Sequence, residues 1–271
     1  MNFLIRKLNT GIKILLERGP TDFKYYFMAF LRGIFKKNIF KTISESVKEE
    51  IYNDHIEISK ILAKSVAYVQ GQGVKGDIAE FGTMTGQTAV ALATATNLYN
   101  IIYRKDFRGT KKLHFFDSFE GLPESRFNID QKSLFVSNGV WTKGSCQGLS
   151  ISEFSRLISN HINKEYFKIY PGWFKDTVPK INKDLSFALI HIDGDLYESA
   201  IDVLENLFKN RQVSNGAIIL FDDWNSNAAN PSFGERRAFN EVCEKYKIKF
   251  SDAGSYGSSC QRFIIHSYIS E

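Results

Sequence analysis

Phe187-Ala-Leu-Ile-His-Ile-Asp193-Gly-Asp195-Leu-Tyr197-Glu-Ser199, answered by Ile218-Ile-Leu-Phe-Asp222-Asp223-Trp224, decides the fold. Each half is a short run of Ile, Leu and Phe that stops abruptly at carboxylates. Runs of this length and composition read as buried strands. Asp193 and Asp222 are 29 residues apart, the length of one strand–helix–strand unit. Such a unit sets its two strands parallel and close together, so the acids meet at one sheet edge. Like charges that close need a cation or shared protons, and a hard divalent ion held by carboxylate oxygens meets that need. The edge beyond the carboxyl ends of the strands is also where open α/β sheets bind ligands.

Working outward, the same alternation continues in both directions. A strand at Asp77–Phe81 leads through a Gly/Thr turn to a helix from about Gln87. A strand at Lys112–Phe116 ends in Asp117. A helix near Ile151–Asn160 precedes a strand near Phe167–Tyr170. The Asp193 strand feeds a helix from Tyr197, with Ala200, Val203, Leu204, Leu207 and Phe208 on one face. The Asp222 strand is followed by a helix near Glu235–Tyr246, then by strands near Lys247–Phe250 and Gln261–His266. Upstream, Ile58, Ile61, Leu62, Val66 and Val69 keep helical spacing up to Gly71-Gln-Gly73. Alternating strands and helices predict a mostly parallel sheet covered on both faces. The stretch from Ser118 to Leu149 is long for a connection, so it reads as a lid or binding loop.

The chain has 271 residues, 43% hydrophobic and 24% charged, which is ordinary globular composition. Cys146, Cys243 and Cys260 are too scattered for a disulfide framework and lack metal-ligand spacing, so a reducing cytoplasm is the expected compartment. Residues 1–40 hold eight Lys/Arg against two acids, a net +6 within a total of +5, so the rest carries about −1. A nearly neutral main domain argues against nucleic acid as partner. The basic segment has Phe3, Leu4, Leu8, Ile12, Leu15 and Leu16 roughly on one helical face. It reads as a helix packed on the domain or on a second subunit, with contact to the inner membrane surface as the other reading. The expected layout is a basic helical extension over 1–70 and a main domain over 71–271, with a dimer favoured.

Three pieces carry chemistry. Glu80-Phe-Gly82-Thr-Met-Thr-Gly86 follows the first strand, and glycines at a strand-to-helix turn let backbone approach a ligand. It resembles the acidic glycine turn of S-adenosylmethionine (SAM) enzymes, with Met84 where the middle glycine usually stands. A carboxylate at Glu80 suits the ammonium of an amino-acid ligand and would repel a diphosphate. Asp117 ends the next strand, where an acid commonly binds ribose hydroxyls. Asp193, Asp222 and Asp223 form the metal set, suited to Mg²⁺ with Mn²⁺ as substitute. Asp195 reads as a cap for the Tyr197 helix. His191 is two residues before Asp193 and so shares its face; it is either a base or a satisfied core histidine. Trp141, Trp173 and Trp224 are either ordinary packing or an aromatic wall for a sulfonium.

Taken in order, Ile78-Ala-Glu80-Phe-Gly82, Asp117-Ser-Phe-Glu-Gly-Leu-Pro123, Tyr170-Pro-Gly-Trp-Phe-Lys-Asp-Thr-Val-Pro179, Ile192-Asp-Gly-Asp-Leu-Tyr-Glu-Ser199 and Phe221-Asp-Asp223 resemble the macrocin/mycinamicin-type O-methyltransferases. The resemblance covers about Val74 to Tyr246. It implies a Rossmann-like class I SAM methyltransferase fold with a seven-stranded sheet. It also implies Mg²⁺-dependent methylation of a hydroxyl on a sugar, glycan or other small molecule. By matching motif, Glu80, Phe81, Gly82, Thr83, Thr85, Gly86, Asp117, Ser118, Gly172 and Trp173 would contact the cofactor. Asp193, Asp222 and Asp223 would bind the metal, and Asp193, with His191 second, would take the proton. The chain departs from the family at Trp224, where Tyr is frequent, and in the added Asn225–Phe233. Two other readings compete. One is a metal-dependent phosphoester hydrolase on the same acids, which leaves Glu80 and Asp117 without work. The other is a catalytically silent scaffold.

Overall fold

The computed structural model describes residues 54–269 together with Val47. The expectations for residues 1–40, including the membrane-surface and packing readings, lie outside the described residues. The chain divides at Asp54/His55, and His55–Glu271 form one compact unit. Helix α1 (Asp54–Gly71) runs into that unit: Leu62, Val66 and Val69 are fully buried in one core with Ile78 and Leu92. The division therefore precedes this helix instead of following it at residue 70.

Seven strands form one sheet among the described residues, in the order β3-β2-β1-β4-β5-β7-β6. They are β1 (Asp77–Phe81), β2 (Leu113–Asp117), β3 (Phe167–Pro171), β4 (Phe187–Ile192), β5 (Val213–Phe221), β6 (Lys249–Tyr256) and β7 (Cys260–Ser267). The first five are parallel, and β7 returns antiparallel between β5 and β6. The helices that cross between strands are α2 (Gln87–Tyr103), α5 (Ile151–Ser159), α7 (Tyr197–Lys209) and α8 (Gly234–Tyr246). Short helices α3 (Asn128–Gln131), α4 (Leu134–Ser137) and α6 (Phe174–Thr177) sit in the connections.

Every residue of β4 is buried, as expected of a strand covered on both sides. Its side chains divide between two cores, with a register shift at Phe187/Leu189. Phe187, Ile190 and Ile192 pack with Val203, Leu204, Leu207 and Phe208 of α7 and with Phe239 of α8. Ala188 and Leu189 face α1 and α2. Each large apolar side chain buried there contributes about 1.5–3 kcal/mol. The apolar stripe of α7 follows the 3.6-residue period, so one face of the helix covers the sheet. The order 3-2-1-4-5 reverses direction between β1 and β4, where a crevice opens at the carboxyl ends of the strands. No helix among the described residues is long and apolar enough to cross a membrane.

Candidate active site

The acids meet because the strand ends are hydrogen bonded in step. Asp193 N donates to Phe81 O (2.9 Å) and Asp222 N donates to Ile192 O (3.0 Å), so both turns leave the sheet side by side. One carboxylate oxygen from each of Asp193, Asp222 and Asp223 comes within 4.8 Å of the others. They face a cavity of about 680 Å³ that is also lined by Gly82–Thr85, Asp117, Ser118, Trp173 and Asp195. Gly82 (φ +95°) is required here, since a Cβ would lie 1.8 Å from Asp193 O.

Electrostatics mark the cluster as short of positive charge. Burial, then the charges of Asp222, Asp195, Asp223 and Glu235, push the Asp193 carboxyl well above the usual range. Burial and Asp223 do the same to Asp195. Asp223 is pushed up to about 6 by burial and by Asp222. Asp222 moves the other way: burial opposes it, but His191 and the Cys260 thiol hold its carboxyl low. Cys260 Sγ donates to Asp222 Oδ1 at 3.3 Å. Oxygen donors this close, with mutual repulsion only partly relieved by the protein, fit Mg²⁺ or Mn²⁺.

His191 is not a base at the cavity. It is fully buried, its Nδ1 lies 3.0 Å from Glu80 Oε1, and its Nε2 lies 3.8 Å from Asp222 Oδ1. Burial alone would lower the imidazole, yet the Asp222 and Glu80 carboxylates raise it to about 9. It is a buried cation behind the acids. Glu80 is buried beside it. Its strand register pairs it with His191, so its carboxylate is 1% exposed and outside the cavity lining, with Oε1 at His191 Nδ1 and Oε2 without a hydrogen-bond partner among the described residues.

The remaining sequence-predicted contacts divide. Thr83, Thr85, Ser118 and Trp173 line the cavity with Gly82. Asp117 lines it too, but its oxygens are already engaged by the glycine turn. Oδ2 accepts from Thr83 N (2.6 Å), Thr83 Oγ1 (2.9 Å) and Met84 N (3.3 Å), and Oδ1 accepts from Phe119 N (2.6 Å). Phe81 is a core residue stacked on Phe116. Gly86 is the left-handed residue that starts α2, and Gly172 a left-handed turn residue; neither lines the cavity. Trp141 stacks on Phe135, and Trp224 packs among Phe221, Phe239 and Phe263.

Several residues at the site escaped the sequence reading. Asp195, read as a helix cap, sits in the left-handed region (φ 58°) and lines the cavity. The cap is instead Asp130, whose oxygens accept from Tyr197 N (2.7 Å) and Glu198 N (3.0 Å). Burial raises Asp130 to about 6 against those two donors. Asp130 belongs to the 118–149 segment, which is held at further points. Asn227 Oδ1 accepts from Leu134 N (2.8 Å), and Leu149 N donates to Met84 O (3.0 Å). The segment's Leu122 and Trp141 form a small core with Leu196, the residue before α7. Glu235, at the start of α8, is fully buried and accepts from Asp223 N (3.0 Å) and Gly194 N (3.4 Å).

Residues 58–248 match the family model described as macrocin-O-methyltransferase (TylF). The chain belongs to this family. Among its relatives, the 8-demethyl-8-(2,3-dimethoxy-alpha-L-rhamnosyl)-tetracenomycin-C 4'-O-methyltransferase of Streptomyces olivaceus is 31% identical over 59% of this chain and 57% of its own. The demethyldecarbamoylnovobiocin O-methyltransferase of Streptomyces niveus is 31% identical over 60% of this chain and 58% of its own. The chain thus spans under three-fifths of the length of these two relatives. In structure it is similar to the O-methyltransferase NovP, with a TM-score of 0.62 and 25% identity over 77% of this chain and 79% of that one. It also shares its fold with the calicheamicin methyltransferase CalS11 (TM-score 0.57, 18% identity, 96% and 91% covered). The class I methyltransferase fold expected from the sequence is therefore the fold of this chain.

Proposed function

We propose that this protein transfers a methyl group from SAM to a hydroxyl of a sugar carried by a small molecule or glycan, and that it needs a divalent cation to do so. The observation that carries this reading is the convergence of Asp193, Asp222 and Asp223 in the cavity that also holds the glycine turn. The family supports methyl transfer, and the Streptomyces olivaceus relative is named for a rhamnosyl-bearing tetracenomycin C. A cavity this rich in carboxylates suits a positively charged sulfonium ligand and disfavours a phosphate-bearing one.

Asp193, Asp222 and Asp223 would hold Mg²⁺, whose chemistry is to lower the pKa of an acceptor hydroxyl and fix its orientation. SAM would lie along Gly82–Thr85, Ser118 and Trp173 and supplies the electrophilic methyl group. The chain's own part is alignment and proton removal. Asp193, the base expected from the sequence, belongs to the ligand set. Asp195 stands outside that set in the same cavity, and it accepts the hydroxyl proton. Bound SAM would supply the methyl carbon to that oxygen, with its carbon–sulfur electron pair left on sulfur. The pinned 118–149 segment walls the cavity and limits water.

The test is calorimetric titration of S-adenosylhomocysteine into metal-stripped protein, with and without Mg²⁺, followed by a methyl-transfer assay on glycosides. Micromolar binding, about −8 kcal/mol, and turnover that chelation abolishes are the expected results. Absence of binding in both conditions sinks the methyltransferase reading and leaves the acids to phosphoester hydrolysis.

A further inference from the structure

We propose that Glu235 is a positioning residue: it staples the two acid-bearing turns at the spacing a divalent cation requires. The inference rests on the cation reading above and concerns a residue outside the ligand set.

A fifth carboxylate beside four others needs a structural reason. Glu235 is 0% exposed, and each acid near it adds repulsion to the cost of burial. Its described donors are two backbone N–H groups, one from each turn: Gly194 N to Oε1 (3.4 Å) and Asp223 N to Oε2 (3.0 Å). Each donor belongs to the peptide that directly follows a ligand residue. Gly194 N is bonded to the carbonyl carbon of Asp193, and Asp223 N to that of Asp222. Holding those two peptides on one carboxylate fixes how far apart the two Cα–Cβ vectors stand.

The sequence makes this geometry available. Glu235 is in the first turn of α8, and helix side chains lean toward the N-terminus, here toward the acid turns. The positive end of the helix also favours an anion at that place. On the far side, Asp193 O packs against Gly82 at a distance no side chain would allow, so the Asp193 turn is held from two directions. Two acceptors are needed to meet two donors. Gln would offer one acceptor and set its amide donors against an N–H. Asp keeps the charge but is one methylene short of both.

The experiment is Mn²⁺ titration of the full chain, read by loss of the free-ion EPR signal. The proteins are wild type, Glu235→Gln, Glu235→Asp and, as a control, Glu244→Gln, which removes one charge from the exposed face of the same helix. Folding is followed separately by the circular-dichroism melt. Wild type should bind one Mn²⁺, Glu244→Gln should match it, and both Glu235 variants should bind roughly 10–100-fold more weakly while melting cooperatively. S-adenosylhomocysteine affinity should stay within a few-fold, which a general loosening of the domain would not allow. Wild-type Mn²⁺ affinity in Glu235→Asp overturns the staple, because charge alone would then be enough. If Glu235→Gln fails to fold, Glu235→Asp alone decides. If wild type binds no Mn²⁺, the cation reading falls and the staple falls with it.

Discussion

Two pairs of strands in this molecule end near acids, and the two sets behave differently. On β1 and β2, Glu80 and Asp117 are consumed by the protein. Glu80 faces His191, and Asp117 accepts from Thr83, Met84 and Phe119. On β4 and β5, Asp193, Asp222 and Asp223 crowd together in a cavity, and three of the carboxyls around them are forced above their usual range. An acid with internal donors is scaffolding. The β4–β5 set has too few: Ser226 Oγ donates to Asp223 Oδ1 (2.7 Å) and Cys260 Sγ to Asp222 Oδ1 (3.3 Å), which leaves the crowded carboxylates short of positive charge and suits a cation from outside. Position at the end of a strand does not distinguish the two; the count of donors does.

The largest expected effect that tests this contrast is on turnover. Asp222→Ala should lower cation-dependent methyl transfer by about a thousandfold or more while S-adenosylhomocysteine binding, read by calorimetry, changes little. Full activity in that variant would erase the distinction. Next comes stability. Glu80→Ala strands the buried His191 and should cost about 3–5 kcal/mol in urea unfolding. Asp193→Asn should have the opposite sign and stabilise the cation-free protein, because it removes a charge from a repelling set. Asp117→Asn is smaller, about 1.5–3 kcal/mol by the same urea measurement, since several N–H groups lose a charged acceptor.

The smallest effect is in the pH dependence. Asp223 and Asp130 have folded pKa values of about 6, above the unfolded value near 4. A raised folded pKa gives stability that is fully present below the unfolded value and lost as pH rises through about 6. His191 acts in the same direction, since its folded value of about 9 lies above the unfolded value near 6.5, so its contribution also falls as pH rises through that window. The cation-free protein should therefore melt roughly 2–4 °C higher at pH 5.5 than at pH 7.5, measured by calorimetry. Mg²⁺ should close the gap by raising the pH 7.5 value. A melting point that climbs from pH 5.5 to 7.5 without a cation would show that the acids find donors the geometry does not provide.

The β4–β5 acids were legible because three signals agreed: apolar runs, abrupt acids, and spacing of one crossover. The parallel core sheet followed from the same alternation. The partner of Glu80 is set by strand register, which no local motif announces. His191 lies far away in sequence and meets Glu80 only when β1 and β4 align. Asp195 was misread because a cap and a cavity wall look alike until φ is known. Asp130, Asn227 and Glu235 left no signal, since their partners are backbone N–H groups, which every residue except proline carries. The length of the 118–149 segment, the only clue to it, reads as a lid or binding loop; the anchors that hold it are such backbone bonds.

Those anchors matter to any exchange of the segment. Exchanging the 118–149 segment for that of a relative is the obvious way to borrow another acceptor preference. Here it would also remove the carboxylate that caps α7, a helix whose whole apolar face covers the central strands. A transplant that omits Asp130, or a recipient that lacks Asn227, should yield an insoluble chimera before it yields a new specificity. Those thirty-two residues carry a structural role along with any acceptor contacts they make, so they must be inherited as one cassette.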